Sequence, residues 1–258
     1  MLSALARSRR SWEIFGALVE RQMRLRVKRT LLGVVWPLAT PLFLLVLYVF
    51  VFHSVFDVPI ARYPEYLFAG LLPWTFMSQS VGLSLPSISN EPELIRRSKF
   101  AYELVAIAQA AVMLIYFAVL LVAFLAYLAL TGHLRWAVLP VLAVPVGALV
   151  IFVVALSSLA ALYDVYNRDL RQLLSNVLTI WFFLVPIVYR PAMAPGALRA
   201  VHVVDPMNIV VQECRDVLYY GRLPGLGQML YLVALSLAFF AAARLLHLRT
   251  SAELPKII

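Results

Sequence analysis

Charged residues divide this chain into long uncharged stretches. Six windows of 18 residues or more carry no Asp, Glu, Lys or Arg: 30–56, 66–90, 104–134, 136–163, 172–189 and 223–243. Each holds a helix able to cross a hydrocarbon core about 30 Å thick, and in lipid a helix satisfies its backbone polar groups internally. The pattern predicts six transmembrane helices. The stretch 190–222 is broken by Arg199, Asp205, Glu213, Arg215 and Asp216, yet keeps apolar periodic segments at Gly196–Val204 and Met207–Tyr220. Asp205 followed by Pro206 is a strong helix start, a capping side chain before a proline at the first helical position. Two short helices that dip into the outer leaflet and return fit this pattern. Such a re-entrant hairpin survives only where protein or a water-filled cavity satisfies its backbone.

Ahead of the first window the periodicity changes. Placing Ser11 to Arg29 at ~100° per residue puts Trp12, Phe15, Val19 and Met23 on one stripe. Ile14, Leu18 and Leu25 widen it, and Glu13, Glu20, Arg21, Arg24 and Lys28 fill the opposite sector. Arg26 alone falls within the apolar arc. This reads as an amphipathic helix lying in the membrane interface rather than as a signal peptide or a span. Its basic end, Arg24, Arg26, Lys28 and Arg29, is a candidate site for an anionic headgroup such as a pyrophosphate; the simpler role is anchor and topology signal.

Within the first window, Gly33, Pro37 and Pro41 are expected to loosen the backbone at the entrance. Trp36, Phe43 and Phe50 recur every seven residues on one face, with Tyr48, Phe52 and Phe56 on another. Aromatic faces stack on sugar rings, so Trp36, Phe43 and Phe50, with Trp181 and Tyr189 of the fifth window, are candidate pathway-lining residues; packing against protein or lipid is the simpler role. The second window is rich in glycine, proline and serine, which favour close helix approach and bends. Tyr163 to Gln172 offers Asp164, Arg168, Asp169 and Arg171 as an ion-pair network, with no base or metal ligand set beside it.

Composition agrees with the pattern. The 258 residues are 63% hydrophobic and only 14% charged, whereas soluble domains carry about 25% charged residues. With six spans the loops fall into two sets. One face holds sixteen Lys and Arg residues and the other six, namely Arg62, Arg135, Arg190, Arg199, Arg215 and Arg222. The positive-inside rule puts both termini in the cytoplasm. The net charge of +9 follows from this asymmetry and from anionic headgroups, and is no argument for nucleic acid. Cys214 is the single cysteine, which excludes an internal disulfide and a cysteine-based metal cluster. No catalytic constellation and no metal site is expected.

Between the second and third windows lies a charged island, Asn90 to Phe100. Asn90 suits an N-cap and Pro92 a first turn. Glu91 and Glu93 precede Arg96, Arg97 and Lys99, the order a helix dipole favours. The island predicts a short helix at the membrane surface. Asn90, Glu91, Glu93, Leu94, Arg96, Arg97 and Lys99 are its candidate docking residues for a partner outside the bilayer, against the plainer reading of a solvated turn.

Taken together, the chain resembles the membrane subunits of type-two ABC exporters of polysaccharide, the O-antigen, teichoic acid and galactan export family. The likeness rests on Leu32, Gly33, Trp36 and Pro41, on Gly70 with Trp74, and on Asn90, Leu94, Ile95, Arg96, Lys99 and Phe100. It continues at Arg168–Asp169 and ends with Pro186, Tyr189, Pro206 and Arg215. Ala101 and Asp205 depart from the proline and asparagine usual in the family. The resemblance implies a bacterial inner-membrane permease that works as a homodimer with two ATP-binding cassette subunits. The island would be the coupling helix, and the substrate a polyprenyl-pyrophosphate-linked glycan passing through an aromatic-lined channel. ATP and Mg would be bound by the partner subunit, since no GxxxxGK[ST] motif occurs here. Nineteen arginines against three lysines point to a GC-rich source, with galactan or O-antigen-like chains as candidates.

The expected fold is therefore all-α and membrane-embedded. Residues 1–33 form a cytoplasmic region with the interfacial helix, 34–249 the six-span domain and 250–258 a cytoplasmic tail. The span domain includes the coupling segment 90–100 and the external hairpin 190–226. Rival readings are a permease of the same fold for a drug or lipid, and a polytopic lipid-linked glycosyl- or phosphotransferase. The second needs acids or histidines gathered at one face, and His53, His133, His202 and His247 are scattered.

Overall fold

The computed structural model describes residues 2–29, 35–56, 59–91 and 102–250. The island positions Glu93, Leu94, Arg96, Arg97 and Lys99 lie outside the described residues, as do the tail and the side chains of Lys28 and Arg29.

Among the described residues the chain is all-helical in class, with no strand and short turns between the helices. The helices are α1 (Leu2–Arg29), α2 (Trp36–Tyr48), α3 (Tyr63–Ser84), α4 (Glu103–Leu130), α5 (Ala143–Tyr166), α6 (Leu170–Leu184), α7 (Gly196–Val204), α8 (Pro206–Leu218) and α9 (Leu226–Thr250). Four helical stretches are long and apolar enough to cross a membrane: Trp36–His53, Glu103–Leu130, Leu139–Tyr166 and Leu226–Thr250. They coincide with four of the six uncharged windows.

The other two windows became α3 and α6, and their differences are informative. α3 is 22 residues long, about 33 Å at 1.5 Å per residue, but it includes Glu65, Thr75, Ser78, Gln79 and Ser80. It is tolerable there because α4, α5 and α8 pack around it and bury most of its length. Protein rather than lipid is its solvent. α6 has 15 residues, about 22 Å, shorter than the window that predicted it. The helix stops at Leu184, where Val185 turns extended ahead of Pro186, as a residue preceding proline does.

α1 lies against the start of α4. Leu18 is buried with Val105 and Ala108, with Ile14, Phe15 and Val19 around them, so the middle of the predicted apolar stripe is the face that docks, while Trp12 at its start stays exposed. α2 packs lightly and keeps much of its surface exposed. The expected loosening at its prolines is not where the backbone departs from α geometry. Pro37 sits in the first turn, where no donor is required, and the helix runs through the buried Pro41. The irregular segment is instead Val49–Val55, wound with the wider π pattern, at the opposite end of the helix. Asp205 caps α8, its carboxylate accepting from the backbone N–H of Met207 at 3.3 Å and of Asn208 at 3.1 Å.

Candidate functional site

Three places combine polar chemistry with position. The first is a groove between α2, α3 and α6 enclosing about 330 Å³. Thr40, Leu44 and Tyr48 line it from α2, at a spacing of four that keeps them on one face. α3 supplies Trp74, Thr75, Ser78 and Gln79; α6 supplies Ser175, Thr179, Phe182 and Phe183. Tyr48 stacks on Phe182 with centroids 5.2 Å apart, and Trp74 meets Phe182 edge-on at 5.6 Å. The wall combines a cluster of aromatic rings with hydroxyl and amide groups. Rings present apolar faces to a pyranose, and hydroxyls exchange hydrogen bonds with its oxygens.

The predicted lining residues divide around this groove. Trp36 and Phe43 of α2 and Phe50 of the segment that continues it are exposed and line no part of the groove wall. Trp181 and Tyr189 fasten the end of α6. The Trp181 indole N–H donates to Asp205 Oδ1 at 3.1 Å, and the Tyr189 hydroxyl donates to the Phe183 and Leu184 carbonyls at 3.1 Å. Sequence reasoning missed the groove residues because a serine or threonine in a helix usually bonds back to its own backbone. Thr179 does so, to Ser175 O at 2.9 Å. The available signal was the spacing of four in Thr40–Leu44–Tyr48 and in Ser175–Thr179.

The second place is the α1 end of the bundle, around the two stems of the charged island. Glu91 pairs with Arg21 of α1 at 2.7 Å. Asn90 is exposed and closes a backbone turn onto Pro86. Arg171 grips Asp164 with two nitrogens, at 2.6 and 2.7 Å, and also donates to Ser89 Oγ at 2.8 Å. Ser89 bonds Asp164 in turn. Of the expected network of Asp164, Arg168, Asp169 and Arg171, the Asp164–Arg171 pair is present, and it reaches the residue preceding the island. On the far stem, Glu103 pairs with Arg244 of α9. Both stems are thus tied by charge to other helices: α1, the α5–α6 corner and α9.

α1 also explains its own exception. Arg26, inside the apolar arc, donates to Gln109 Oε1 of α4 at 3.2 Å, and Gln109 donates back to Gln22 at 3.0 Å. A polar seam runs through that interface, and burial lowers the Arg26 pKa below its ordinary range. Arg24 instead pairs with Glu20 on the exposed side. The four basic candidates are therefore not equivalent, and Arg24 is the more open of the two whose side chains are described.

The third place is the opposite end, where α7 and α8 close over α3 and α6. Arg215 is fully buried. Its guanidinium donates to the backbone carbonyls of Tyr66 at 3.1 Å, Pro186 at 2.6 Å and Ile187. Gly70 makes the room: a Cβ there would stand 2.8 Å from Arg215 Nη2 and 3.1 Å from Val211 Cγ1. Glu213, two residues away on another helix face, is buried with no hydrogen-bond partner on either carboxylate oxygen among the described residues. Desolvation, with Asp216 adding to it, pushes its pKa up to about 7. No cluster of potential metal ligands occurs among the described residues.

Comparison with known proteins adds the following. A family model described as ABC-2 type transporter matches residues 13–219. The chain is 29% identical over 231 residues to an O-antigen export system permease protein RfbA of Myxococcus xanthus, covering 88% of each. It is 25% identical over 217 residues to the protein of the same description from Klebsiella pneumoniae, covering 82% of each.

Proposed function

We propose, from the premise that this chain belongs to the ABC-2 type transporter family, that it is the permease subunit of a polysaccharide exporter driven by ATP hydrolysed in a separate chain. The observation that carries the reading is the groove of α2, α3 and α6. In a membrane protein this apolar, a wall that joins aromatic rings to hydroxyl and amide groups suits a glycan better than a drug or a lipid tail. Similarity over most of the chain to O-antigen export permeases supports the same substrate class.

In this reading α3 and α6 complete a six-span bundle, with α7 and α8 as a re-entrant pair on the outer side and both termini in the cytoplasm. The cell inner membrane is its place. The segment 90–100 is the coupling helix, with Asn90, Glu91, Glu93, Leu94, Arg96, Arg97 and Lys99 seated on an ATP-binding cassette subunit. ATP and Mg bind to that subunit. Two copies of each chain face one another, so that the open side of the groove and the exposed Trp36, Phe43 and Phe50 become the wall of a continuous channel. A polymer longer than the membrane is thick cannot be enclosed in one cavity, which favours a channel over an occluded site. Arg24, Arg26, Lys28 and Arg29 receive the pyrophosphate of the lipid carrier at the cytoplasmic entrance.

The test is reconstitution of this chain with its ATP-binding partner in proteoliposomes, supplied with a lipid-linked glycan. Export of the glycan that requires ATP and both chains is expected. ATP turnover indifferent to the glycan, with no glycan protected inside or released outside, overturns the reading.

A further inference from the structure

Arginines are disfavoured on the external face of a membrane protein, yet four of the six assigned there converge on one turn. They come from four separate connections: Arg62 ahead of α3, Arg135 between α4 and α5, Arg190 after α6 and Arg222 after α8. The turn they surround is Tyr219–Gly221. Arg62 stacks 4.8 Å over the Tyr219 ring and donates to the Tyr219 carbonyl at 3.2 Å. Arg222 stacks 4.7 Å over Tyr220. The two tyrosine rings meet edge-on at 4.8 Å. A Cβ at Gly221 would collide with the Arg135 side-chain stem, so the turn lies directly on that arginine. Arg190 is near enough to Tyr219 to act on it electrostatically.

The local charge is not balanced. Glu65 pairs with Arg62 at 2.8 Å and is shared with His133 at 2.7 Å. Asp216 pairs with Arg222 at 2.8 Å. Arg135 and Arg190 have no ion pair among the described residues, and all four arginines are exposed. Arg62 is also the only non-glycine residue with positive φ among the described residues, at 49°, a conformation that costs free energy and gathers at functional positions. Trp136 and Leu223, beside Arg135 and Arg222, are exposed as well. An exposed indole next to basic residues marks the depth of the lipid headgroups.

We propose that Arg62, Arg135, Arg190 and Arg222 form a phosphate-binding site at the outer membrane interface, which holds the headgroup of an anionic lipid. Guanidinium forks suit phosphate oxygens, and the tyrosine turn gathers them around one place. The ligand is either a bilayer phospholipid or the pyrophosphate of the translocated carrier lipid, because both present the same oxygens. The outward placement rests on the topology of the proposed function; the binding chemistry does not.

The experiment uses the full chain in nanodiscs of phosphatidylcholine containing phosphatidylglycerol, with retained lipid counted by native mass spectrometry. The wild type is expected to keep one tightly held anionic lipid per chain that R135Q/R190Q loses, with affinity falling roughly tenfold or more. R135K/R190K keeps the charge and should retain most of the binding, which separates loss of the site from loss of the fold. Displacement by geranyl pyrophosphate but not by short-chain phosphatidylglycerol assigns the site to the carrier, and the reverse assigns it to bilayer lipid. Equal lipid retention by wild type and R135Q/R190Q overturns the proposal. A cysteine placed at Thr131 and probed with an impermeant maleimide on intact cells tests the orientation separately. Labelling from the cytoplasmic side would refute the outward placement even if the lipid binds.

Discussion

Arg215 sits over Tyr66, its guanidinium carbon 3.7 Å from the ring centroid, and its acceptors are backbone carbonyls rather than a carboxylate. The arrangement fastens α8 to α3 and to the chain leaving α6 in one place. A charge so deeply buried is tolerated because three carbonyls and an aromatic face replace its water. Removing it leaves the Pro186 and Ile187 carbonyls, which lie outside any helix, without their donor. Arg215→Met should destabilise the protein by about 3–5 kcal/mol, read as a lowered melting temperature in detergent. Gly70→Ala should cost roughly 1–3 kcal/mol through the clash with the same guanidinium. A Gly70→Ala protein as stable as wild type would refute the fastening role.

Asp205 performs two tasks, capping α8 and accepting from Trp181. Asparagine keeps a single acceptor oxygen, which can stay with Trp181 and Met207 but turns an amide N–H toward the Asn208 N–H, so Asp205→Asn should cost about 0.5–1 kcal/mol. Asp205→Ala loses all three bonds and should cost about 1–2 kcal/mol. Trp181→Phe should reproduce part of that loss without affecting the cap. Thermal unfolding of the three variants decides the matter, and equal effects of Asn and Ala would contradict it.

Burial of the Glu213 carboxyl makes the stability of the fold depend on pH. Its pKa rises from 4.5 unfolded to about 7 folded, so the folded state holds the proton more tightly. Stability from the neutral acid is fully present below 4.5 and is lost as pH rises through 7. Glu213→Gln removes that loss. The variant should match wild type near pH 4.5 and exceed it at pH 8 by on the order of 2–3 kcal/mol. Melting curves at the two pH values check this, and a variant less stable at pH 8 would contradict it.

The groove offers a steric test. Ser78→Trp or Thr179→Trp fills space between α2, α3 and α6 while leaving the Arg215 fastening alone. Glycan export should fall at least several-fold, while assembly with the ATP-binding subunit is unchanged. Normal export from both variants would return the groove to a packing defect.

Docking at the island predicts a different phenotype. Glu93→Ala/Arg97→Ala should insert and fold normally but lose coupling between ATP turnover and export. Arg171→Gln, which breaks the grip on Asp164 and Ser89, should weaken coupling too, because it loosens one stem from the α5–α6 corner. Export at the wild-type ratio of glycan to ATP in both proteins would exclude the docking role.

Local pattern made much of the architecture legible. Charge-free length marked the helices that face lipid, since each must hide its own backbone there. Asp205–Pro206 fixed the start of α8 to the residue, because a cap and an N1 proline act within one turn. The apolar stripe of α1 was readable because periodicity along one helix needs no partner to be seen. Even the misfit Arg26 was visible, although not its reason, which is Gln109 more than eighty residues away.

What the sequence could not carry is everything that depends on who packs against whom. α3 looked like one more span, but its polar residues are tolerated by surrounding helices contributed from far along the chain. Arg215 read as an external loop charge, and only its bond to Tyr66, 149 positions earlier, reveals it as the buried fastener of the hairpin. The convergence of Arg62, Arg135, Arg190 and Arg222 is likewise invisible in one dimension. Helix and span are written in spacings of three to eighteen residues; a shared pocket is decided by the packing of distant segments, which only the folded chain brings together.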